Sequence, residues 1–112
     1  MTTSTASLMS GVPELLVLQL LASREMYGYE LARSIRLLTT DTVSIGESVL
    51  YPALHLLEKR GLVKGKRRPV AGRTRVYYAI TSKGRRRLEH LTGHWRRIAG
   101  GVEAVLAGAR HA

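Results

Sequence analysis

At 112 residues the chain has room for one domain, and its 45% hydrophobic content is that of a globular protein rather than a disordered one. Lys and Arg number 18 against 8 acidic residues, a net charge of +10, so a polyanion is the first partner to consider, nucleic acid ahead of a membrane surface. Cysteine is absent, which excludes disulfides, thiolate metal sites and a cysteine nucleophile.

In chain order, residues 1–10 are Thr/Ser-rich without periodicity and read as a flexible N-terminal arm. They lack a basic n-region, and the longest apolar run, Leu15 to Ala22 interrupted by Gln19, is too short to span a bilayer. A soluble cytoplasmic protein without a membrane partner is expected. Pro13 opens a first helix, and Glu14 suits its N-terminal dipole. Apolar residues surround nearly the whole of that helix, which places it centrally in the core.

Ser23-Arg24-Glu25 reads as a connector, and Tyr27-Gly28-Tyr29 starts a second helix with Tyr29, Ala32, Ile35 and Leu38 on one face. Thr39 to Val43 is a turn. Ser44-Ile45-Gly46-Glu47 matches a capping box for a third helix, which runs to about Arg60 and stops at Gly61. Pro52 conflicts with a start at Ser44: either the helix begins nearer Glu47 or it is kinked at Pro52. Leu62 to Arg68 and Arg73 to Ile80 read as strands joined by a Pro69-Val70-Ala71-Gly72 turn. Thr81 or Ser82 caps a last helix carrying Leu88, Leu91, Trp95, Ile98, Val102 and Val105 at steps of three and four, a seam for packing along another helix.

Three helices followed by a basic hairpin is the order of a winged helix-turn-helix, whose third helix enters the major groove while the wing lies along the backbone or minor groove. The fold class expected is therefore mainly α with a small β-hairpin: a winged helix-turn-helix over 11–80 and a C-terminal dimerisation helix over 81–112. On the third helix Leu50, Leu54 and Leu57 form the buried stripe. Ser48, Tyr51 and His55 occupy the opposite side as candidates for base edges. Lys59, with Lys66, Arg67, Arg68, Arg73 and Arg75 of the hairpin, is assigned to backbone and wing contacts with duplex DNA.

Three blocks resemble a known family. Tyr27-Gly28-Tyr29-Glu30-Leu31 is similar to its H/Y-G-Y-E-L segment. Leu50-Tyr51-Pro52-Ala53-Leu54, followed by Leu57-Glu58-Lys59-Arg60-Gly61-Leu62-Val63, is similar to its L-Y-P-A-L…L-E-x-x-G-L-[IV] block. Gly72-Arg73, then Tyr77 to Gly84, is similar to its G-R…Y-Y-x-[LI]-T-x-x-G signature. The family is the PadR family of bacterial transcriptional regulators, and the likeness covers roughly positions 12 to 91, with a length like that of its short subfamily. It implies a homodimer formed through the C-terminal helix, binding an inverted-repeat operator and usually repressing. It also implies that an aromatic at the dimer interface, here Trp95, can stack on a flat, apolar effector. Two departures stand out: Ser48-Val49 where a small Gly-Thr-type pair commonly precedes L-Y-P, and Gly93, Gly100 and Gly101 inside the last helix, each costing about 1 kcal/mol relative to Ala.

Other features read as structural. Tyr51 has an alternative place as a ring packed on the second helix, and Tyr77 and Tyr78 alternate faces, one core and one partly exposed. His90 and His94 stand at a metal-compatible spacing without a completing ligand, so no metal is assigned, and they read as exposed dimer-helix residues. No catalytic constellation, phosphate loop or cofactor motif is present, so an enzyme is not expected and no cofactor is called for. The rival reading is a non-specific, nucleoid-type basic coating protein, which would share the charge. Against a single-strand binder stands the lack of an exposed aromatic platform in the sequence pattern.

Overall fold

The computed structural model describes residues 11–108. The expected arm at 1–10 and the last four residues lie outside that range. Helix α1 spans Val12–Ser23, strand β1 Met26–Tyr27, helix α2 Gly28–Leu38 and helix α3 Glu47–Lys59. Strands β2 (Val63–Val70) and β3 (Arg73–Ile80) follow, and helix α4 runs Ser82–Gly108. The sheet order is β1-β3-β2, antiparallel throughout. This is the winged-helix arrangement, with four helices and a three-stranded sheet among the described residues.

Proline at the start of α1 fits a position whose N–H has no intrahelical partner. The helix touches α2, α3, β3 and α4. Its Val17, Leu18 and Leu21 are buried, while Leu15, Leu16 and Leu20 are only partly covered, so it is central without being wrapped on all sides. These residues meet Met26, Leu31, Ile35, Ile45, Leu50, Leu54, Leu57, Leu62, Val63 and Tyr78 in one core. Each fully buried leucine contributes about 1.5–3 kcal/mol relative to solvent exposure. No helix among the described residues is long and apolar enough to cross a membrane.

Four local expectations change. The core face of α2 is Gly28, Leu31 and Ile35, whereas Tyr29 and Leu38 are exposed. Ser44 does not cap α3: Gly46 is the N-cap residue, and Ile45 is buried in the core instead. The hairpin turn is the two residues Ala71-Gly72, with Pro69 and Val70 inside β2 and opposite Thr74 and Arg73. Finally, β1 pairs Met26 with Tyr78 and Tyr27 with Tyr77, a strand between the expected connector at Ser23 to Glu25 and a second helix that was expected to start at Tyr27.

At the last helix Thr81 is the cap. Its Oγ1 accepts the Gly84 N–H at 3.0 Å and donates to the Gly61 and Leu62 carbonyls at 2.7 and 3.1 Å. The helix then runs unbroken through Gly93, Gly100 and Gly101 to Gly108.

Candidate nucleic-acid interface

Starting α3 at Glu47 leaves Pro52 still inside it, so one backbone hydrogen bond, from position 52 to the Ser48 carbonyl, is missing. The first turn is secured from outside the helix proper: the Gly46 carbonyl accepts the Val49 and Leu50 N–H groups at 3.1 and 2.9 Å. At the far end Gly61 adopts φ +74°, and the Gly61 and Leu62 N–H groups return to the Glu58 and Leu57 carbonyls. That is a Schellman stop, which only a residue at ease in the left-handed region makes cheaply. The two faces of α3 separate as the sequence predicts. Leu50, Leu54 and Leu57 are buried, and Ser48, Tyr51, His55 and Lys59 are exposed.

Tyr51 is at once exposed and packed against α2. It retains 37% of its surface, yet its phenol lies so close to the start of α2 that a Cβ at Gly28 would be 2.8 Å from the hydroxyl oxygen. The ring is therefore seated by α2 with its edge open to solvent.

The wing is tied to α3 by a residue that carried no predicted role. Glu58 Oε2 accepts the Gly65 N–H at 2.9 Å, and a Cβ at Gly65 would fall 2.8 Å from that oxygen. Between α3, the start of α2 and β3 lies an open groove of about 310 Å³ lined by Tyr51, His55, Thr74, Arg75, Val76 and others. Tyr78, the buried member of the predicted Tyr77–Tyr78 pair, forms part of its wall. Burial, reinforced by the nearby Glu58 carboxylate and Tyr51, pushes the Tyr78 phenol above its ordinary value. It is neutral at any physiological pH.

Register divides the wing cations between two faces. Val63, Gly65 and Arg67 pair with Ile80, Tyr78 and Val76 on the face that looks toward the helices. Lys64, Lys66 and Arg68 pair with Ala79, Tyr77 and Arg75 on the outer face, with Arg73 at the tip opposite Val70. The five hairpin cations expected to act together thus do not share a face: by register Arg67 is on the side of α3, Arg73 is at the tip and Lys66 and Arg68 are outside, while Arg75, on their face by register, also lines the groove.

The outer face is organised around Glu25. Its carboxylate pairs with Arg68 and, at 3.9 Å, with Lys66. The Arg68 guanidinium also lies 5.0 Å over the Tyr77 ring, and that of Arg75 lies 4.5 Å over Tyr27. Tyr27 in turn stacks on Tyr29 and tilts against Tyr77. An aromatic row is therefore present where none was expected, but two of its rings are already faced by the chain's own guanidinium groups. The missed signal was Glu25 itself, an acidic residue just before two tyrosines; its partners lie far along the chain.

Several other cations are also engaged within the chain. Lys83 Nζ donates to the Arg60 carbonyl at 2.8 Å, Arg85 to the Ala22 carbonyl at 3.4 Å, and Arg87 to Glu14 at 3.0 Å. Part of the basic segment thus holds α4 onto the domain. The predicted seam on α4 divides in the same way. Leu88 and Leu91 are partly buried against the chain's own core, whereas Trp95, Ile98 and Val102 are half-exposed and Val105 is 72% exposed. Leu106, outside the predicted set, extends this open stripe. Trp95, Ile98, Leu91 and His94 line a largely apolar cavity of about 260 Å³ with Gly11, Val12 and Leu15. His90 and His94 lie parallel, 6.4 Å apart, and no metal-binding cluster is formed among the described residues.

Comparison with known proteins agrees with this architecture. A transcriptional regulator from Clostridium thermocellum superposes with a TM-score of 0.81 at 29% identity, covering 87% of this chain and 95% of that one. A PadR-like transcriptional regulator from Bacillus cereus gives a TM-score of 0.76 at 31% identity over 89% of this chain and 96% of its own. An uncharacterized protein of Lysinibacillus sphaericus is 30% identical over 94 residues, 83% of this chain and 86% of that one. The profile of the transcriptional regulator PadR-like family matches residues 17–90. With its three blocks of motif and its winged-helix fold, the chain belongs to the PadR-like family of transcriptional regulators, DNA-binding proteins and not enzymes.

Proposed function

We propose that the protein is a homodimeric repressor that binds an inverted-repeat operator. The observation supporting this reading is the open groove that Tyr51 and His55 of α3 share with Thr74, Arg75 and Val76 of the wing strand β3. In this reading Ser48, Tyr51 and His55 meet base edges in the major groove, and Lys59, Arg67 and Arg73 hold phosphates. The open stripe from Trp95 to Val105 packs against its counterpart on a second copy, while Leu88 and Leu91 support it from the domain side. Two-fold symmetry then sets the half-site centres near one helical turn, about 34 Å apart.

The cavity beside Trp95 supports an effector role for that residue. It is apolar, it opens onto the stripe assigned to the dimer, and a flat apolar molecule bound there changes operator affinity to the extent that it prefers one arrangement of the two subunits.

Selection of duplexes from a random pool by the purified protein tests the reading. A palindromic consensus is the expected result. A preference below about tenfold over random duplex would instead make the protein a sequence-indifferent coating protein of the nucleoid type.

A further inference from the structure

We infer that Glu25 sets the charge the wing presents to DNA, by holding Arg68 and Lys66 on the outer face of the hairpin and leaving Arg67 and the tip to meet phosphates. The inference rests on the DNA-binding reading above and names a residue outside the groove as a determinant of affinity and specificity.

Arg68 and Arg75 sit directly opposite each other on neighbouring strands, a like-charge pair that is destabilising by itself. Three features relieve it. Glu25 pairs with Arg68, the Arg68 guanidinium lies over Tyr77, and the Arg75 guanidinium turns toward Tyr27 on β1. Continuing the β1–β3 register back by one residue puts Glu25 opposite Ala79, on the same outer face as Lys66 and Arg68. The short strand β1 is thus what delivers the carboxylate to the wing.

An exposed ion pair of this kind adds little to stability, because solvent screens it and the side chains lose freedom. Its effect on binding is larger in kind. Each cation that neutralises a phosphate releases counterions and steepens the salt dependence of binding by about 0.9 in log–log slope. A cation held by Glu25 and an aromatic face is withdrawn from that count. Phosphate contacts carry no sequence information, so withdrawing two of them lowers random-duplex affinity and raises the weight of the α3 contacts. Glu25 is a positioning residue: it acts through Arg68 and Lys66 and does not itself touch DNA.

The test compares the wild-type protein with Glu25→Gln and Arg68→Gln, titrating the selected operator and a random duplex across a salt series. Glu25→Gln is expected to steepen the slope by between about 1 and 2 and to strengthen random-duplex binding by roughly threefold or more at low salt. The ratio of operator to random-duplex affinity is then expected to fall. Arg68→Gln is expected to leave the wild-type slope unchanged. An unchanged slope in Glu25→Gln overturns the inference, as does a slope reduced by about 0.9 in Arg68→Gln, which would make Arg68 a phosphate ligand in the native protein. Weaker binding by Glu25→Gln at constant slope overturns it as well, since that is the signature of a purely structural contact. If the wild-type protein itself prefers no duplex sequence, the operator reading fails first and this inference with it. If wild-type selectivity stands and the variants do not respond as stated, only the inference fails. Far-UV circular dichroism melts of both variants establish that each is folded during the titrations.

Discussion

At the scale of single residues the most informative backbone position is the tip of the wing. Ala71 and Gly72 both have positive φ, +48° and +77°, as a two-residue type I′ hairpin requires. Glycine takes this conformation without cost, but alanine in the left-handed region is strained by roughly 1–2 kcal/mol. Asparagine tolerates the region and makes with Gly72 the pair most favoured in this turn. Ala71→Asn is therefore expected to stabilise the protein by about 1 kcal/mol, read as a rise in the midpoint of urea unfolding at constant slope. Ala71→Val, β-branched at the same place, is expected to shift the midpoint the other way. The same positions explain why the turn is two residues shorter than Pro69 suggests. Pro69 is a usual turn residue, but the backbone needs only two left-handed residues to reverse, and Pro69 occupies a place in the ladder on the sheet's edge strand.

Elements are where the sequence was most legible, and also where its local signals misled. The β preference of Arg73 to Ile80 and the leucine spacing of α3 both survive in the fold, the latter as burial on one face. The capping box at Ser44 reflects a local preference that tertiary packing overrides: Ile45 is drawn into the core, and the helix starts after it. Strand β1 has two residues, too few for any periodicity, and exists because β3 offers it an edge. In the site, the polar stripe of α3 was legible because helix geometry alone determines it. The five wing cations were expected to act together, although strand alternation already divides them between two faces. The ion pairs of Glu25 were not legible, because they need the pairing of β1 with β3.

Glycines on α4 show the same dependence on context. At Gly84 an added Cβ would overlap the Leu62 carbonyl oxygen and press on Ile80, so the first turn of α4 lies directly against the start of β2. Gly84→Ala forces backbone apart and is expected to cost about 2 kcal/mol, lowering the melting temperature by roughly 10 °C. At Gly93 a Cβ meets only the end of the Arg97 side chain, at 3.4 Å. Gly93→Ala, free of that obstruction, is expected to gain about 1 kcal/mol from helix propensity alone. Opposite signs for two Gly→Ala changes on one helix, measured by thermal melts at one protein concentration, are the outcome that checks the packing of α4.

At the scale of the whole molecule, α4 is too long for the domain it starts on. Its 27 residues extend about 40 Å, and the chain's longest dimension is 62 Å against 31 and 21 Å across. The first turns are fastened by Thr81, Lys83, Arg85 and Arg87, and Leu88 and Leu91 join the core. Beyond them Trp95, Ile98, Val102, Val105 and Leu106 hold at least half their surface open. A stripe with helical spacing does not reveal whether it faces its own domain or another copy, and in the fold the predicted seam divides into residues packed on the domain and residues left open. In a two-fold dimer each residue of the open stripe occurs twice, and a charge introduced there is buried twice without a partner. Ile98→Glu is accordingly expected to yield monomers by sedimentation velocity at concentrations where the wild-type protein is dimeric. The same substitution should remove the concentration dependence of the melting temperature that dimerisation confers, while leaving the monomer folded, since Ile98 is no part of the core. Its binding to a palindromic operator should weaken by tenfold or more, and its binding to an isolated half-site should match that of the wild-type subunit. A variant that remained dimeric would place the interface elsewhere on the chain and leave the open stripe of α4 without its proposed partner.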